Sequence, residues 1–260
     1  MSGIARKAPT RGGTILARVF TCALGAAAAL WGAAVLPIFW REAPLERMAT
    51  RIANRETFKP EVIDALVPAV EVAERVADCR PEALRSAAII RLRLAETAIF
   101  AAERQAIDAK LSAFRTTAVR SLACAPADPF LWMVLAWLDQ TRNGFNADQL
   151  TFLRLSYRLG PNEGWIAARR NRFALAMYER LTPDLANAAL DEFAGMVASG
   201  FYWEPIEIFT GPGWHVRDKL LARLKDVPER RREAFAKELY AQGYNVDVPG
   251  IPLHDARPWH

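Results

Sequence analysis

The longest uninterrupted run of apolar positions lies near the start of the chain, where residues 19–40 (VFTCALGAAAALWGAAVLPIFW) contain no charged side chain. A helix of this length spans about 33 Å, which is close to the hydrocarbon thickness of a bilayer. The run therefore predicts a transmembrane anchor. A cleaved signal peptide is one alternative, although its apolar region is usually only about 7 to 15 residues long. A buried core helix is another, but the run has no polar face.

Beyond the anchor the pattern changes to amphipathic helices, and the stretch 126–161 is the most complete example. Asp128 predicts a helix start, because its carboxylate can cap backbone N–H groups and the proline after it needs no such partner. Asn146, followed three residues later by Gln149, predicts a second start. The expected ends of the two helices are marked by Gly144 and by Gly160-Pro161. The stretch is typical of a helix–turn–helix unit.

The rest of the chain divides into further helical segments. They are expected over 44–78 with a break at Pro68, from Pro81 to a turn near Phe100–Arg104 and on to 123, from Asn162, from Thr182-Pro183 to Ser199-Gly200, and as a short pair over about 214–242. No Gly or Pro marks the turn near residues 100–104, which we infer because one helix of more than about 40 residues is improbable in a compact domain.

Two segments depart from this pattern. Residues 201–214 are rich in aromatic residues, proline and glycine, and we expect them to interrupt the helices. The tail 245–260 contains three prolines and is expected to be a surface strap or, alternatively, a partner-binding segment. We divide the chain into a basic tail (1–18), the anchor (19–40), a helical linker or capping region (41–80), a repeat region (81–200) and a C-terminal region of helices and Pro-rich tail (201–260).

The helix pair at 126–161 resembles a tetratricopeptide repeat (TPR), although Asp139 stands where the repeat prefers an aromatic residue and the unit is one residue longer than the usual period of about 34. The matching residues are Trp132, Leu135, Ala136, Gly144 and Pro161. The resemblance implies an all-α fold, with the transmembrane helix followed by a TPR-like antiparallel helical-hairpin array. It also implies that Trp132 is buried between the helices of its repeat. An ordinary antiparallel hairpin in a bundle is the alternative.

The net charge of +5 is distributed unevenly along the chain. Residues 1–40 contain four basic residues and no acidic residue, so that residues 41–260 carry 30 basic and 29 acidic side chains. A nearly neutral body lacks the basic surface that replaces phosphate counterions, and we therefore expect no nucleic acid as a partner. The basic tail favours the cytoplasmic side of a membrane and a periplasmic body, although Arg41, Arg47, Arg51 and Arg55 weaken the contrast.

The chain has three cysteines, and two of them lie beyond the anchor. Cys79 precedes the first long helix and Cys124 ends its expected antiparallel partner, so a hairpin would bring the two thiols to the same end. In an oxidising compartment this placement predicts a disulfide. Two buried free thiols are the alternative. Cys22 lies within the anchor, where it is most simply a small apolar residue.

The sequence offers little for catalysis or for cofactor binding. The three histidines, His215, His254 and His260, have no metal-ligand spacing, and no phosphate-binding or nucleophile motif is present. We therefore expect no cofactor, no metal and no catalytic residue. The neighbouring carboxylates Asp191-Glu192, and Glu204 with Glu207, are expected to be solvated.

An arginine-rich stretch is the strongest candidate for a binding surface. Its members crowd the facing ends of two helix pairs: Arg154, Arg158, Arg169, Arg170 and Arg172. Guanidinium groups suit phosphates, anionic sugars or a partner's carboxylates, and an acidic glycan is therefore a candidate ligand. The alternative is surface pairing with Asp139, Glu163 and Glu179. Trp132, Trp137 and Trp165 have the spacing of core packing and not of a sugar-stacking platform.

The whole layout is similar to a family. A short basic tail and one anchor are followed by a cysteine before RPEALRSAAIIRLRLAE, and then by ACAPADPFLWMVLAWL and LRLSYRLGPNEGW. Over roughly residues 15–200 this resembles the small membrane-anchored helical-repeat proteins of bacterial extracellular polysaccharide clusters, the VpsP-like group. The resemblance implies a non-catalytic scaffold or adaptor in the inner membrane, accessory to polysaccharide biosynthesis or export, whose partners are proteins of that envelope complex.

Two other functions fit the same pattern. One is a helical-repeat enzyme that acts on cell-envelope glycan, which would need an acid such as Glu204 or Glu207 buried beside Trp203 and Trp214 in an open pocket. The other is an envelope-assembly adaptor outside polysaccharide synthesis.

Overall fold

The computed structural model describes residues 11–54, 56–75, 79–102 and 104–252. Over these residues the chain consists of α-helices, short 3-10 turns and connecting loops, without a β-strand. The helices are α1 (Arg11–Ala53), α2 (Pro60–Asp64), α3 (Val67–Arg75), α4 (Pro81–Phe100), α5 (Arg104–Cys124), α6 (Pro129–Asn143), α7 (Ala147–Leu159), α8 (Gly164–Ala176), α9 (Pro183–Ser199), α10 (Trp203–Thr210), α11 (Arg217–Arg223) and α12 (Glu229–Ala241). The all-α prediction is confirmed.

Helix α1 combines the anchor with part of the body. Its segment Ile15–Pro37 is long and apolar enough to cross a membrane, and none of its most apolar window is buried inside the protein. The helix does not end at residue 40 as predicted but continues through Pro37 and Pro44 to Ala53. The continuation is stabilised by burial, because Leu45, Ala49 and Ile52 follow at helical spacing and pack into the core.

Three antiparallel helix pairs follow one another along the chain, α4 with α5, α6 with α7 and α8 with α9. This arrangement is compatible with a TPR-like array. The turn predicted near residues 100–104 is confirmed, since α4 ends at Phe100 and α5 begins at Arg104. Ala102 takes a φ of 55° there, so a non-glycine residue occupies the left-handed conformation that closes the turn.

The two predicted caps of the central pair are present. Asp128 accepts hydrogen bonds from the backbone N–H groups of Phe130 and Leu131 at 2.9 and 3.1 Å, and Asn146 accepts one from Gln149 at 3.1 Å. The side chain of Gln149 does not return to the start of α7. It is fully buried, and neither of its polar side-chain atoms has a hydrogen-bond partner among the described residues.

The buried apolar side chains form two cores. The first contains the end of α1 together with residues of α2 to α6 and Ile166 of α8, and the second extends from Ala136 of α6 through α7 to α12. Residues 201–214, which we expected to interrupt the helices, instead contribute α10, because Ile206, Ile208 and Phe209 give it an inward face in the second core. The C-terminal helices therefore pack as an extension of the third helix pair.

The first part of the tail is a strap on the second core. Val248 is 1% exposed, and Val246 and Ile251 pack beside it. Residues 253–260, with His254, His260 and the last proline, lie outside the described residues, as do residues 1–10 of the basic tail.

Candidate functional site

A groove runs across the first helices of the three pairs. It has a volume of about 480 Å³, within the usual range of ligand pockets. Its walls come from α4, α6 and α8, and the residues that line it are Leu92, Glu96, Ile99, Phe100, Phe130, Met133, Val134, Trp137, Arg169, Arg172, Phe173 and Ala176. We call this set the groove.

Most of the groove surface is apolar. Phe130, Met133 and Val134 form a floor of side chains that are at most 5% exposed, and Phe130 also packs on the Trp165 ring with the centroids 5.0 Å apart. Phe100 stands at the end of α4 and is 84% exposed. An aromatic side chain in water at the mouth of an apolar groove is typical of an interaction surface.

The charged residues of the groove lie at its edges. Arg169 donates a hydrogen bond to the carbonyl of Ala53 at 3.4 Å, and its guanidinium lies 5.6 Å from the Phe130 ring centroid. Arg172 Nη2 lies 3.8 Å from a carboxylate oxygen of Glu207, with both side chains more than half exposed. Glu96 is paired with Arg93 on its own helix at 3.2 Å. The α8 edge is therefore positively charged.

A smaller cavity of about 170 Å³ continues the groove toward the end of α1. It shares Leu92, Glu96, Phe130 and Arg169 with the groove, and its far wall includes Ile52 and Ala53. The anchor helix thus forms part of the same surface, and Arg169 connects it to α8.

Helices α1 and α4 run in the same direction away from the apolar segment Ile15–Pro37. Glu42 of α1 forms an ion pair with Arg80 at the start of α4, whereas Ile52 and Ala53 lie beside Ile89 and Leu92 further along. A helix rises about 1.5 Å per residue, so Phe100 lies about 30 Å beyond the level of Arg80. The Phe100 mouth of the groove is therefore at the end of the first helix pair that is remote from the apolar segment Ile15–Pro37.

The predicted disulfide between Cys79 and Cys124 is present, with the Cα atoms 5.5 Å apart. It joins the ends of the first helix pair next to the Glu42–Arg80 ion pair, at the end of the body nearer the apolar segment Ile15–Pro37. Cys22 is a free, exposed thiol within the apolar part of α1.

The five arginines predicted as a binding surface do not form one patch. Arg154 pairs with Asp184 at 2.9 Å, and this guanidinium holds the pKa of Asp184 well below its usual range. Arg158 is exposed on α7, and Arg169 and Arg172 belong to the groove. Arg170 is fully buried. The prediction is wrong for Arg170, because successive helical positions point in different directions and this one points into the core.

Arg170 is buried because all five of its N–H donors have acceptors. They bond to Glu192, to the carbonyl and hydroxyl oxygens of Ser156 and to the carbonyl of Gly160, at 2.5 to 3.0 Å. The two carbonyls lie at the end of α7, and that of Ser156 also accepts the backbone N–H of Gly160 at 3.1 Å. Arg170 therefore joins α7, α8 and α9, and it is not available to a ligand.

Glu192 is the second residue that the sequence placed wrongly. We expected it to be solvated, but its side chain is 5% exposed and also accepts a hydrogen bond from Tyr157 at 3.1 Å. Burial raises the pKa of Glu192, although Arg170, Tyr157 and Asn171 act in the opposite direction. Burial also raises the pKa of Tyr157 well above its usual value. One signal in the sequence could have indicated a buried charge at this place. Arg170 has the apolar residues Ile166 and Ala174 one helical turn away on either side, which puts it on an apolar helix face.

The tryptophans are less buried than predicted. Trp132 is half-buried, stacks on Phe152 with centroids 5.5 Å apart, and donates its indole N–H to the carbonyl of Pro126 at 2.8 Å. Trp137 and Trp165 are also half-buried, and Trp137 lines the groove. The indole of Trp132 stays at the helix–helix boundary because its N–H bonds to the loop before α6.

The carboxylates that a glycan hydrolase would need are not enclosed. Glu207 is exposed and faces Arg172, Glu204 is half-exposed, and Trp203 is 65% exposed. Neither carboxylate lines the groove. In the part of the chain that the structure describes, no group of three or more His, Cys, Asp or Glu side chains is placed to hold a metal ion.

Comparison of the chain with protein-family models, with curated proteins and with solved structures finds no match. The groove and its position relative to the anchor are therefore the basis on which a function is argued.

Proposed function

We propose that this protein is a membrane-anchored scaffold whose body holds a partner protein in the groove. The observation that carries the proposal is the exposed apolar surface that α4, α6 and α8 build together, with Phe100 at its mouth. Stacked helix pairs present such surfaces to other proteins. The described residues of the groove include one carboxylate, Glu96, and this residue is already paired with Arg93.

The location in the proposal is a single-pass inner-membrane protein with a periplasmic body. The apolar segment Ile15–Pro37 supports the membrane anchor. The basic tail before it supports a cytoplasmic N-terminus. The Cys79–Cys124 disulfide supports an oxidising compartment for the body, because such bonds persist mainly outside the cytosol.

The proposed process is extracellular polysaccharide biosynthesis or export, and its support is the similarity of the sequence layout to the VpsP-like group. In this role the scaffold would hold a component of the polysaccharide complex at a fixed height above the membrane. The continuous helix α1 suits that task, since its buried residues Leu45, Ala49 and Ile52 fix the body to the anchor without a flexible linker.

The proposal is tested by deletion and complementation in the source organism. Deletion should reduce extracellular polysaccharide, and the full chain should restore it. Phe100→Glu should fail to restore it, since a charge at the mouth opposes apolar docking while an 84% exposed position tolerates the change. Val119→Glu is the matched control, because Val119 is exposed on α5 outside the groove.

Normal polysaccharide after deletion would remove the process from the proposal. Full restoration by Phe100→Glu would exclude the groove as the site that holds the partner. An alkaline phosphatase fused after His260 should be active, and an inactive fusion would place the body in the cytoplasm.

A further inference from the structure

We infer that the groove binds a protein segment that presents apolar side chains beside a carboxylate, and that Arg172 is the residue that pairs with this carboxylate. The inference rests on the proposed scaffold function and specifies the chemistry of its partner. Three features of the groove support it, namely the exposure of Phe100, the charge at the α8 edge and the height above the membrane.

Phe100 carries the argument for an apolar partner. It is 84% exposed, more than Leu16 at 76%, which has the largest exposed fraction among the large apolar side chains of the membrane-spanning segment. In the proposed topology lipid covers Leu16, but nothing in the described part of the chain covers Phe100. An apolar side chain this exposed beside a groove with an apolar floor gains free energy when a partner removes both from water.

The charge at the α8 edge selects an acidic residue in the partner. Arg172 is separated from Glu207 by 3.8 Å, beyond hydrogen-bond distance, and the two side chains are 57% and 58% exposed. An exposed ion pair of this kind contributes little, so Arg172 can exchange Glu207 for a better partner. A carboxylate that enters an apolar groove would instead form a charge-assisted, two-pronged hydrogen bond with the guanidinium.

The height of the groove above the membrane favours a protein, and not bilayer lipid, as the occupant. The lowest groove residue on α4 is Leu92, twelve positions after Arg80, or about 18 Å further along the helix. Arg80 pairs with Glu42, which follows the last residue of the spanning segment, Pro37, by five positions. The groove therefore begins about 25 Å from the apolar segment along the helix axes. Acyl chains of bilayer lipids do not reach that height, whereas a loop or terminus of a periplasmic protein does.

The test is photo-cross-linking of the full chain in living cells of the source organism. The probe p-benzoylphenylalanine replaces Phe100 or Trp137 in the groove, or Val119 on α5 as the control position. We expect protein adducts from the two groove positions and none of the same mass from position 119. Mass spectrometry of the adduct should identify a segment with apolar side chains and at least one Asp or Glu.

Charge variants then test Arg172 in the protein that carries the probe at Trp137. Arg172→Glu should lower the yield of the adduct at least five-fold, and Arg172→Lys, which keeps the charge but not the two-pronged hydrogen bond, should lower it less. Arg158→Glu makes the same change of charge at an exposed position outside the groove and should leave the yield unchanged. In the Arg172→Glu protein, replacement of the partner's acidic residue by Arg should restore the adduct.

Other outcomes overturn the inference in distinguishable ways. Protein adducts that persist at full yield in Arg172→Glu would show that no carboxylate is bound there, while the scaffold function stands. Adducts from position 119 alone would place the partner on another surface. Phospholipid adducts from the groove would show an amphiphile as the occupant. An absence of protein adducts from all three positions would defeat both this inference and the proposed scaffold.

Discussion

Arg170 and Glu192 form an ion pair that is almost completely removed from solvent: their side chains are 0% and 5% exposed, and Arg170 Nη2 lies 2.5 Å from Glu192 Oε1. The pair connects α8 to α9, and Arg170 also bonds the end of α7 through Ser156 and Gly160. A buried pair of charges contributes little net stability compared with apolar residues, but either charge left alone in the core is costly. The pair therefore fixes how the second helix pair sits on the third.

Breaking this pair should destabilise the body strongly. We expect Arg170→Met to lower the free energy of unfolding by about 3 to 5 kcal/mol, because it leaves the Glu192 carboxylate buried without its charge partner. Urea unfolding of the full chain in detergent, followed by the fluorescence of the body, measures the change. The double variant Arg170→Met/Glu192→Met should recover a large part of the loss. A double variant as unstable as the sum of both single variants would contradict this account.

Glu74 gives the body a specific dependence on acid. It lies at the end of α3, where it receives two hydrogen bonds from Arg91 at 3.0 and 2.8 Å and one from Thr117. Partial burial acts to raise its pKa, but these bonds and the charges of Arg91 and Arg120 outweigh burial, so the pKa of Glu74 lies below its usual value of about 4.5. The folded state therefore binds this proton less readily than the unfolded state does.

The stability that Glu74 contributes should be fully present above its unfolded pKa and lost as the pH falls through the lower, folded pKa. At pH 7 we expect Glu74→Gln to cost about 1 to 3 kcal/mol, the usual range for a hydrogen-bonded charge. The difference between wild type and variant should shrink below about pH 4.5. Urea unfolding at a series of pH values measures it. A difference that stays constant down to pH 3 would mean that the two states bind this proton equally.

The disulfide makes a prediction about both redox state and stability. Thiol labelling of the unreduced, denatured protein should modify Cys22 alone, and reduction should add Cys79 and Cys124. In the chain-entropy model, Cys79→Ser/Cys124→Ser should destabilise the body by about 4 kcal/mol, because a long loop is no longer closed in the unfolded state. Labelling of all three cysteines without reductant would indicate a reduced body.

The half-buried position of Trp132 reduces the cost expected for its removal. Trp132→Ala should cost about 1 to 3 kcal/mol, from the loss of stacking on Phe152 and of partial burial. Phe193→Ala is the comparison, since Phe193 is 0% exposed and contacts Phe209 and Phe235, and it should cost about 3 to 5 kcal/mol. In thermal unfolding, the Phe193→Ala variant should have a lower Tm than the Trp132→Ala variant. The reverse order would show that Trp132 is the central packing residue of its pair, as its repeat position implies.

The parallel course of α1 and α4 predicts the depth of individual residues. In a Cys22→Ser background, a nitroxide at Glu82→Cys should lie near the bilayer surface, and one at Phe100→Cys should lie about 27 Å further away. Both positions are exposed. In nanodiscs with a nickel-chelating lipid, relaxation enhancement should be strong at residue 82 and weak at residue 100. Equal enhancement at the two sites would mean that α4 lies along the membrane surface.

Local chemistry was sufficient to predict much of the fold. Asp128 and Asn146 begin α6 and α7 as expected, because a side-chain oxygen before a helix satisfies backbone donors whatever surrounds it. Gly200 ends α9 with a φ of 81°, a conformation that glycine adopts without strain. The turn at 100–104 was predicted from length alone, and it determined the position of the disulfide.

Residue type alone misplaced the candidate site. Arg169, Arg170 and Arg172 look equivalent in the sequence, but one bonds the end of the anchor helix, one is buried against Glu192 and one stands at an open edge. Charged side chains are exposed by default, so only the positions of acceptors on other helices could reveal that Arg170 is buried. The groove was not predicted, because α4, α6 and α8 are separated in sequence by their partner helices.

The sequence by itself determined the apolar run near the start of the chain, the capped starts of α6 and α7, and the pair of cysteines, because each depends on neighbouring residues or on chain length. Only the tertiary structure decided that α1 continues into the body, that residues 203–210 form a helix, and that Arg170 meets Glu192. Pro44 and the prolines and glycines of 201–214 disfavour helix locally, and burial of Leu45 and Phe209 in the two cores outweighs that preference. The packing energy between segments that are distant in the sequence cannot be deduced from any one segment alone.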